Sequence, residues 1–197
     1  SSNMAIVYVN QVGGQDELVF DGGSFAVTAQ GEIAAAAPNF EEGRYWLDIA
    51  FGDGPAQISG LPVAPPLEDL AATWQALVLG VRDYVNKNLF RGVVLGLSGG
   101  IDSALTLAVA VEALGADRVE AVMMPFRYTA QMSIEDAAEQ SRLLGVQHKV
   151  ISIEPIYEAF MASLAQEFAG TRVDTTEENL QARCRGVLLM SISNKKG

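Results

Sequence analysis

The chain has 197 residues, 24 acidic against 13 basic side chains, and a formal net charge of −11. Its 49% apolar content supplies a core for one domain or one and a half, whereas its charge argues against nucleic acid or an anionic membrane as a general partner. No apolar run reaches the ~18 residues of a membrane span, no basic, apolar leader is expected from the opening residues, and the lone Cys184, unable to form an internal disulfide, suits a reducing cytoplasm.

Residues Ser1 to Met4 precede the first run of β type. From there to residue 50 the chain reads as β structure: Ala5–Val9, Leu18–Phe20, Ser24–Thr28, Glu32–Ala36 and Arg44–Ile49. Gly22-Gly23 and Gln30-Gly31 supply turns, and the runs around Gln30-Gly31 predict a hairpin. These strands alone are too few to bury two faces. Residues 53–66, with Pro55, Pro62, Pro65 and Pro66 among their glycines, read as a linker. Leu67 to Leu89 then places Leu67, Leu70, Trp74, Leu77, Val81, Tyr84 and Val85 on one helical stripe.

Beyond Gly92 the pattern alternates. Strands are predicted at Val93–Leu97, Val119–Met124 and Lys149–Ile153, and helices at Ile101–Leu114 and Ser133–Leu144. Ser133 to Asp136 has the spacing of a capping box, and Gly115 and Gly145 are placed to end the two helices. Short apolar strands between helices predict an α/β fold, a parallel doubly wound sheet covered on both faces. Pro155–Phe168 reads as a further helix, and Thr175-Thr176-Glu177-Glu178 as a capping box opening another to about Ser193. On that helix Asn179, Arg183 and Gly186 share a face, while Arg185 is turned about 200° from Arg183.

The chemistry centres on Gly96-Leu97-Ser98-Gly99-Gly100-Ile101-Asp102-Ser103. A strand, a glycine turn and a helix N-terminus make an anion site, because the first N–H groups of the helix lack intrahelical partners and its dipole favours negative charge. Ser98 and Ser103 add hydroxyls, and Asp102 makes most sense as a Mg2+ ligand beside a polyphosphate. A Walker A loop needs a lysine that is absent here, and G-x-G-x-x-G fails at Ser98. Gly96 to Gly100 does satisfy G-x-S-x-G, the nucleophile elbow of α/β-hydrolases, with His148 the one histidine available. Against it, His148 starts a predicted strand, whereas a triad histidine belongs on a loop at the carboxyl end of the sheet. Met123, Met124 and Phe126 suit core packing or an adenine equally, and Arg127 suits a phosphate contact or plain solvent.

Ser98 to Ser103 resembles the pyrophosphate loop of the N-type ATP pyrophosphatases, a fold of adenine nucleotide alpha hydrolase type. Leu95–Leu114, Met123–Tyr128 and Glu178–Arg185 resemble the NAD synthetase family in the same order, and Gly13–Ser24 resembles the end of the nitrilase-like glutaminase domain of its glutamine-dependent form. The resemblance implies residues 1–52 as the last strands of that glutaminase domain, 53–66 as linker and 67–197 as the synthetase part. It implies ATP-dependent amidation of deamido-NAD+ through an adenylate, with glutamine or ammonia as nitrogen source and Mg2+ with ATP. Gly96–Ser103 would then hold ATP, Asp102 the metal, and Asn179, Arg183 and Arg185 deamido-NAD+, largely at an interface of a homo-oligomer. No cysteine precedes Cys184, so no glutaminase nucleophile and no glutaminase activity are expected. The family's later Thr-Gly-Asn-x-x-Glu segment is also outside this sequence, leaving turnover by these residues alone in doubt. Two other readings stay open: another N-type ATP pyrophosphatase acting on GMP synthesis or tRNA, and a nucleotide-binding or dimerising module without turnover.

Overall fold

The computed structural model describes residues 3–60 and 63–196; of the expected linker, Pro62 lies outside the described residues. The chain divides into two compact units, one running to Tyr84 and one from Val85.

In the first unit β1 (Ile6–Tyr8), β4 (Phe25–Val27) and β5 (Ile33–Ala36) form an antiparallel sheet in the order β1-β4-β5. The β4–β5 pair is the expected hairpin. Ala26 and Ala35 pair across it and are both buried, small residues suited to a covered sheet centre. Between β1 and β4 lies a hairpin that the sequence pattern did not predict, β2 (Val12–Gln15) with β3 (Leu18–Asp21). Its Gly14 has a packing reason. The Gly14 N–H donates to Asp83 Oδ2 at 2.7 Å, and a Cβ on Gly14 would lie 3.2 Å from the Gly80 Cα. Asp83 and Gly80 belong to α1 (Asp69–Lys87), so a side chain at Gly14 would push the helix back by a few tenths of an ångström.

Two expectations in this unit are corrected. Strand structure was expected over Arg44–Ile49, but β6 begins at Asp48 (Asp48–Ala50). Tyr45 instead folds its ring back over Gly43, and Trp46 is largely exposed, so the apolar alternation there does not mark a buried face. The 53–66 segment is also not wholly linker, because β7 (Gln57–Ser59) pairs antiparallel with β6.

The second unit is a three-stranded parallel sheet of β8 (Val93–Gly96), β9 (Val119–Met123) and β10 (Gln147–Val150) in the order β10-β9-β8. The central β9 is buried along its whole length, as a strand covered on both faces must be. Between the strands run α2 (Ile101–Leu114) and α3 (Gln131–Leu144), which pack together and on the sheet. After β10 come α4 (Glu154–Ser163) and α5 (Thr175–Lys196). Val122, Met124, Phe126, Ile153 and Cys184 form a core cluster, joined by Leu180, Leu188, Leu189 and Ile192 of α5. Since neighbouring strand residues face opposite ways, Val122 looks to α5, and Ala121 and Met123 look to the other face.

Helix ends depart from expectation in instructive ways. α3 starts at Gln131 with Ala130 as its N-cap and no side-chain cap, so Ser133 lies inside the first turn and makes no capping box. At α5 the box exists one residue earlier than read. Asp174 Oδ1 accepts from the Thr176 N–H at 2.7 Å, and Glu177 Oε2 reaches back to the Asp174 N–H at 2.9 Å, with Asp174 as N-cap. The Asp174 carboxyl is held below its usual pKa by the Thr176 backbone and side-chain hydrogen bonds. α4 stops at Ser163, short of the expected Phe168, and continues as hydrogen-bonded turns. Gly115 and Gly145 end α2 and α3 as expected, with φ of +86° and +70°. Among the described residues no helix is long and apolar enough to cross a membrane.

Candidate functional site

Ligands of open parallel sheets sit beyond the carboxyl ends of the strands, and the Gly96–Ser103 segment lies there. The Leu97 N–H extends the β8–β9 ladder to the Val122 carbonyl at 2.9 Å, and its side chain is buried. The chain then leaves the sheet. Gly99 takes a φ of +78°, and a Cβ on it would come within 2.2 Å of the Ser133 carbonyl oxygen. Gly99 is therefore needed twice, for its backbone conformation and for the approach of the first turn of α3.

Two serine hydroxyls knit the turn. Ser98 and Ser103 Oγ lie 3.0 Å apart. Ser103 Oγ accepts from the Ser98 N–H at 3.1 Å and donates to the Gly100 carbonyl at 2.9 Å. The Gly100 N–H donates to Ser98 Oγ at 3.2 Å. Gly100 is the N-cap of α2, so the N–H groups of Ile101, Asp102 and Ser103 have no intrahelical acceptor. They are positioned to meet an anion. Asp102 is exposed in the first turn of α2. Among the described residues no three His, Cys, Asp or Glu side chains gather into a metal cage.

Of the three α5 residues singled out from sequence, Arg185 is brought to the carboxyl end of the sheet. Its Nε donates to the carbonyl of Met124, just past β9, at 3.1 Å. Asn179 and Arg183 lie on the exposed face of α5, where Arg183 donates to the Asn179 carbonyl at 3.3 Å. Between Arg183 and Arg185, Cys184 is fully buried; burial pushes its thiol pKa up, against the charge of Arg185. That is a packing cysteine.

Arg127 is not free for a phosphate. Its Nε meets Glu154 Oε1 at 2.7 Å and an Nη meets Glu158 Oε1 at 2.8 Å, while the guanidinium lies 5.0 Å from the Phe126 ring centroid. Nor does the structure assemble a hydrolase triad. His148 sits within β10 in register with Ala121, its Nε2 buried without a hydrogen-bond partner and its pKa lowered by that burial. Ser98 instead has Ser103 and Gly100 as partners.

Sequence reasoning missed one polar cluster. Glu120 on β9 is buried, accepts from Lys149 Nζ of β10 at 2.9 Å and pairs with Lys196 at the end of α5. Desolvation raises its pKa, but the hydrogen bonds and charges of the two lysines outweigh this and hold it below the usual carboxylate value. A glutamate inside an otherwise apolar strand was the available signal.

The chain is similar to known proteins over nearly its whole length. The family model for NAD synthase matches residues 73–197. A glutamine-dependent NAD(+) synthetase of Acinetobacter baylyi is 52% identical over 99% of this chain, which covers 36% of that protein. The solved structure of the Acinetobacter baumannii glutamine-dependent NAD+ synthetase, in complex with ADP, superposes with a TM-score of 0.90 at 53% identity, over 98% of this chain and 36% of that one. The NMN synthetase of Francisella tularensis superposes at 0.58 and 32% identity, over 66% of this chain and 52% of its own. The chain thus spans about a third of the length of the glutamine-dependent relatives that it matches. A parallel sheet with a serine- and glycine-built turn at its carboxyl edge and a matching family model over most of its length lead to one conclusion: this chain belongs to the NAD synthase family.

Proposed function

We propose that this chain carries the ATP-binding part of an enzyme that amidates deamido-NAD+ to NAD+, with Gly96–Ser103 holding the polyphosphate of ATP. The observation that carries this reading is the Ser98–Ser103 turn, which presents the opening N–H groups of α2 at the carboxyl end of the sheet. The complex of the Acinetobacter baumannii relative with ADP supports an adenine nucleotide as ligand.

In the reaction so read, the nicotinate carboxylate oxygen attacks the α-phosphorus of ATP. The bond from that phosphorus to the bridging oxygen breaks, and pyrophosphate leaves with the electron pair. Charge grows on the leaving group, and preorganised N–H donors stabilise it. Nitrogen from ammonia or glutamine then attacks the acyl carbon, loses a proton, and AMP departs. The attacking carboxylate is already ionised, so the adenylation step needs no general base, and the proton lost by the nitrogen in the second step passes to water. Asp102 fits Mg2+, which keeps substrate phosphates and waters as ligands and needs only one or two protein carboxylates; there it would neutralise charge on the leaving pyrophosphate. The glutaminase reaction is assigned to no residue of this chain.

Arg185 is the residue proposed to meet the dinucleotide, supported by its Nε anchored on the Met124 carbonyl. Its guanidinium nitrogens suit a carboxylate or phosphate. Asn179 and Arg183 share the outer face of α5 with the exposed Val187 and Met190. That apolar stripe supports a second copy of the chain packing there, which would bring Asn179 and Arg183 into a shared deamido-NAD+ site.

Titration of deamido-NAD+, NAD+ and nicotinate mononucleotide into the chain holding Mg2+ and α,β-methylene-ATP tests the assignment. Deamido-NAD+ should saturate and bind about ten-fold more weakly after Arg185→Ala, the worth of one charge-assisted pair. Equal binding of deamido-NAD+ and NAD+, indifferent to Arg185→Ala, would refute it. Preference for the mononucleotide would move the substrate class toward that of the Francisella relative.

A further inference from the structure

Two polar contacts hold α5 against β9, one near each end of the strand. Arg185 Nε donates to the Met124 carbonyl at the carboxyl end, and Lys196 pairs with Glu120 at the other. The spans match. From Glu120 to Met124 a strand rises about 13 Å, and from Arg185 to Lys196 a helix rises about 16 Å and turns by only about 20° beyond whole turns. Arg185 and Lys196 therefore bracket a single stripe of α5, whose middle is Leu188, Leu189 and Ile192 on the core. That apolar middle cannot set its own register, because hydrophobic contact is non-directional. The opposite side of α5 is apolar too, with Val187 and Met190 exposed, so patterning alone does not fix the rotation of the helix. The Glu120 carboxylate can fix both. It is buried, and its two oxygens are divided: Oε1 is held by Lys149 of β10 at 2.9 Å, and Oε2 takes Lys196.

We infer that Glu120 is a positioning residue: through Lys196 it pegs the register of α5 on the sheet, and so sets Arg185 at the carboxyl edge where the dinucleotide is proposed to bind. What Arg185 meets there rests on the proposed function, whereas the peg itself is a property of the ligand-free chain. Lys149 orients the carboxylate from the neighbouring strand and does not touch α5. Without Lys196, α5 keeps its apolar contacts but is free to turn or slide on them. A shift by one residue carries Arg185 about 1.5 Å along the axis and about 100° around it, which takes its guanidinium off the sheet edge.

Lys196→Ala and Lys149→Ala each remove one lysine from the same carboxylate. NMR of the ligand-free chain, with calorimetry of deamido-NAD+ in Mg2+ and α,β-methylene-ATP, separates them. In Lys196→Ala the Arg185 Nε–H should exchange with water about ten-fold faster, whereas Lys149→Ala should leave it protected and Lys196→Arg should keep it so. Deamido-NAD+ should bind Lys196→Ala about five-fold more weakly, with the affinity for Mg2+ and α,β-methylene-ATP unchanged, because the proposed nucleotide site is built on β8 and α2. Added to Arg185→Ala, Lys196→Ala should cost deamido-NAD+ binding nothing further, since it acts through that arginine. Equal effects of the two lysine variants on the Arg185 Nε–H, or additive losses in the double variant, overturn the peg. A parent chain whose deamido-NAD+ binding ignores Arg185→Ala overturns the reading of Arg185, and the ligand-free exchange of its Nε–H still decides the peg.

Discussion

Replacing Gly99 by alanine puts a methyl carbon 2.2 Å from the Ser133 carbonyl oxygen, 2.7 Å from its Cα and 2.8 Å from its carbonyl carbon. All three are backbone atoms of the first turn of α3, so no side chain can swing aside. The same position has a φ of +78°, where an L-residue pays about 1–2 kcal/mol of steric strain. Driving an extra methyl into packed backbone adds about 1–3 kcal/mol, for a total of about 2–5 kcal/mol. Gly170 supplies the control within the same unit, because its φ is +80° and a Cβ there meets nothing within 4 Å. Gly170→Ala should therefore cost only the strain. With a urea slope of about 2 kcal/mol per molar, the unfolding midpoint followed by far-ultraviolet circular dichroism should fall by about 1–2.5 M for Gly99→Ala and about 0.5–1 M for Gly170→Ala. Equal shifts would show that α3 does not press on the turn, and the described site would be wrong.

Glu120 gives a pH-dependent prediction. Its folded pKa lies below the ordinary value of 4.5, so its contribution is present above that value and is lost as the pH falls through the folded pKa. Glu120→Gln should cost about 1–3 kcal/mol near neutrality, the worth of hydrogen bonds to a charged group, and should flatten the acid limb of stability; an unchanged acid limb would contradict the cluster. Asp174→Ala should raise amide exchange at Thr176 and lower α5 helicity, an effect absent if Thr175 were the cap. Cys184 should resist alkylation in the folded chain and react once urea unfolds it, whereas fast native labelling would contradict its burial.

The parallel sheet was legible because its strands are short apolar runs punctuated by glycine, and Gly115 and Gly145 end helices as their positions imply. The turn at Gly96–Ser103 was legible because strand, glycine turn and helix follow one another locally. What escaped was set by partners distant in sequence. Val12–Gln15 carries no strand signal around Gly13-Gly14, yet it pairs with β3 and its Gly14 N–H is taken by Asp83, 69 residues later. Arg127 suits a phosphate contact or plain solvent in sequence, and only the structure shows that Glu154 and Glu158 of α4 take it. The α5 cap moved by one residue because Asp174 and Thr175 are both competent caps, and the reach of Glu177 decided between them.

The central claim, a polyphosphate site at Gly96–Ser103, is tested most directly by calorimetric titration of ATP into the folded chain with and without Mg2+, beside Asp102→Ala. The account predicts saturable binding at one site that Asp102→Ala weakens about ten-fold or more in Mg2+ and leaves nearly unchanged without it. No saturable binding by a folded chain, or binding in Mg2+ that ignores Asp102→Ala, would contradict it.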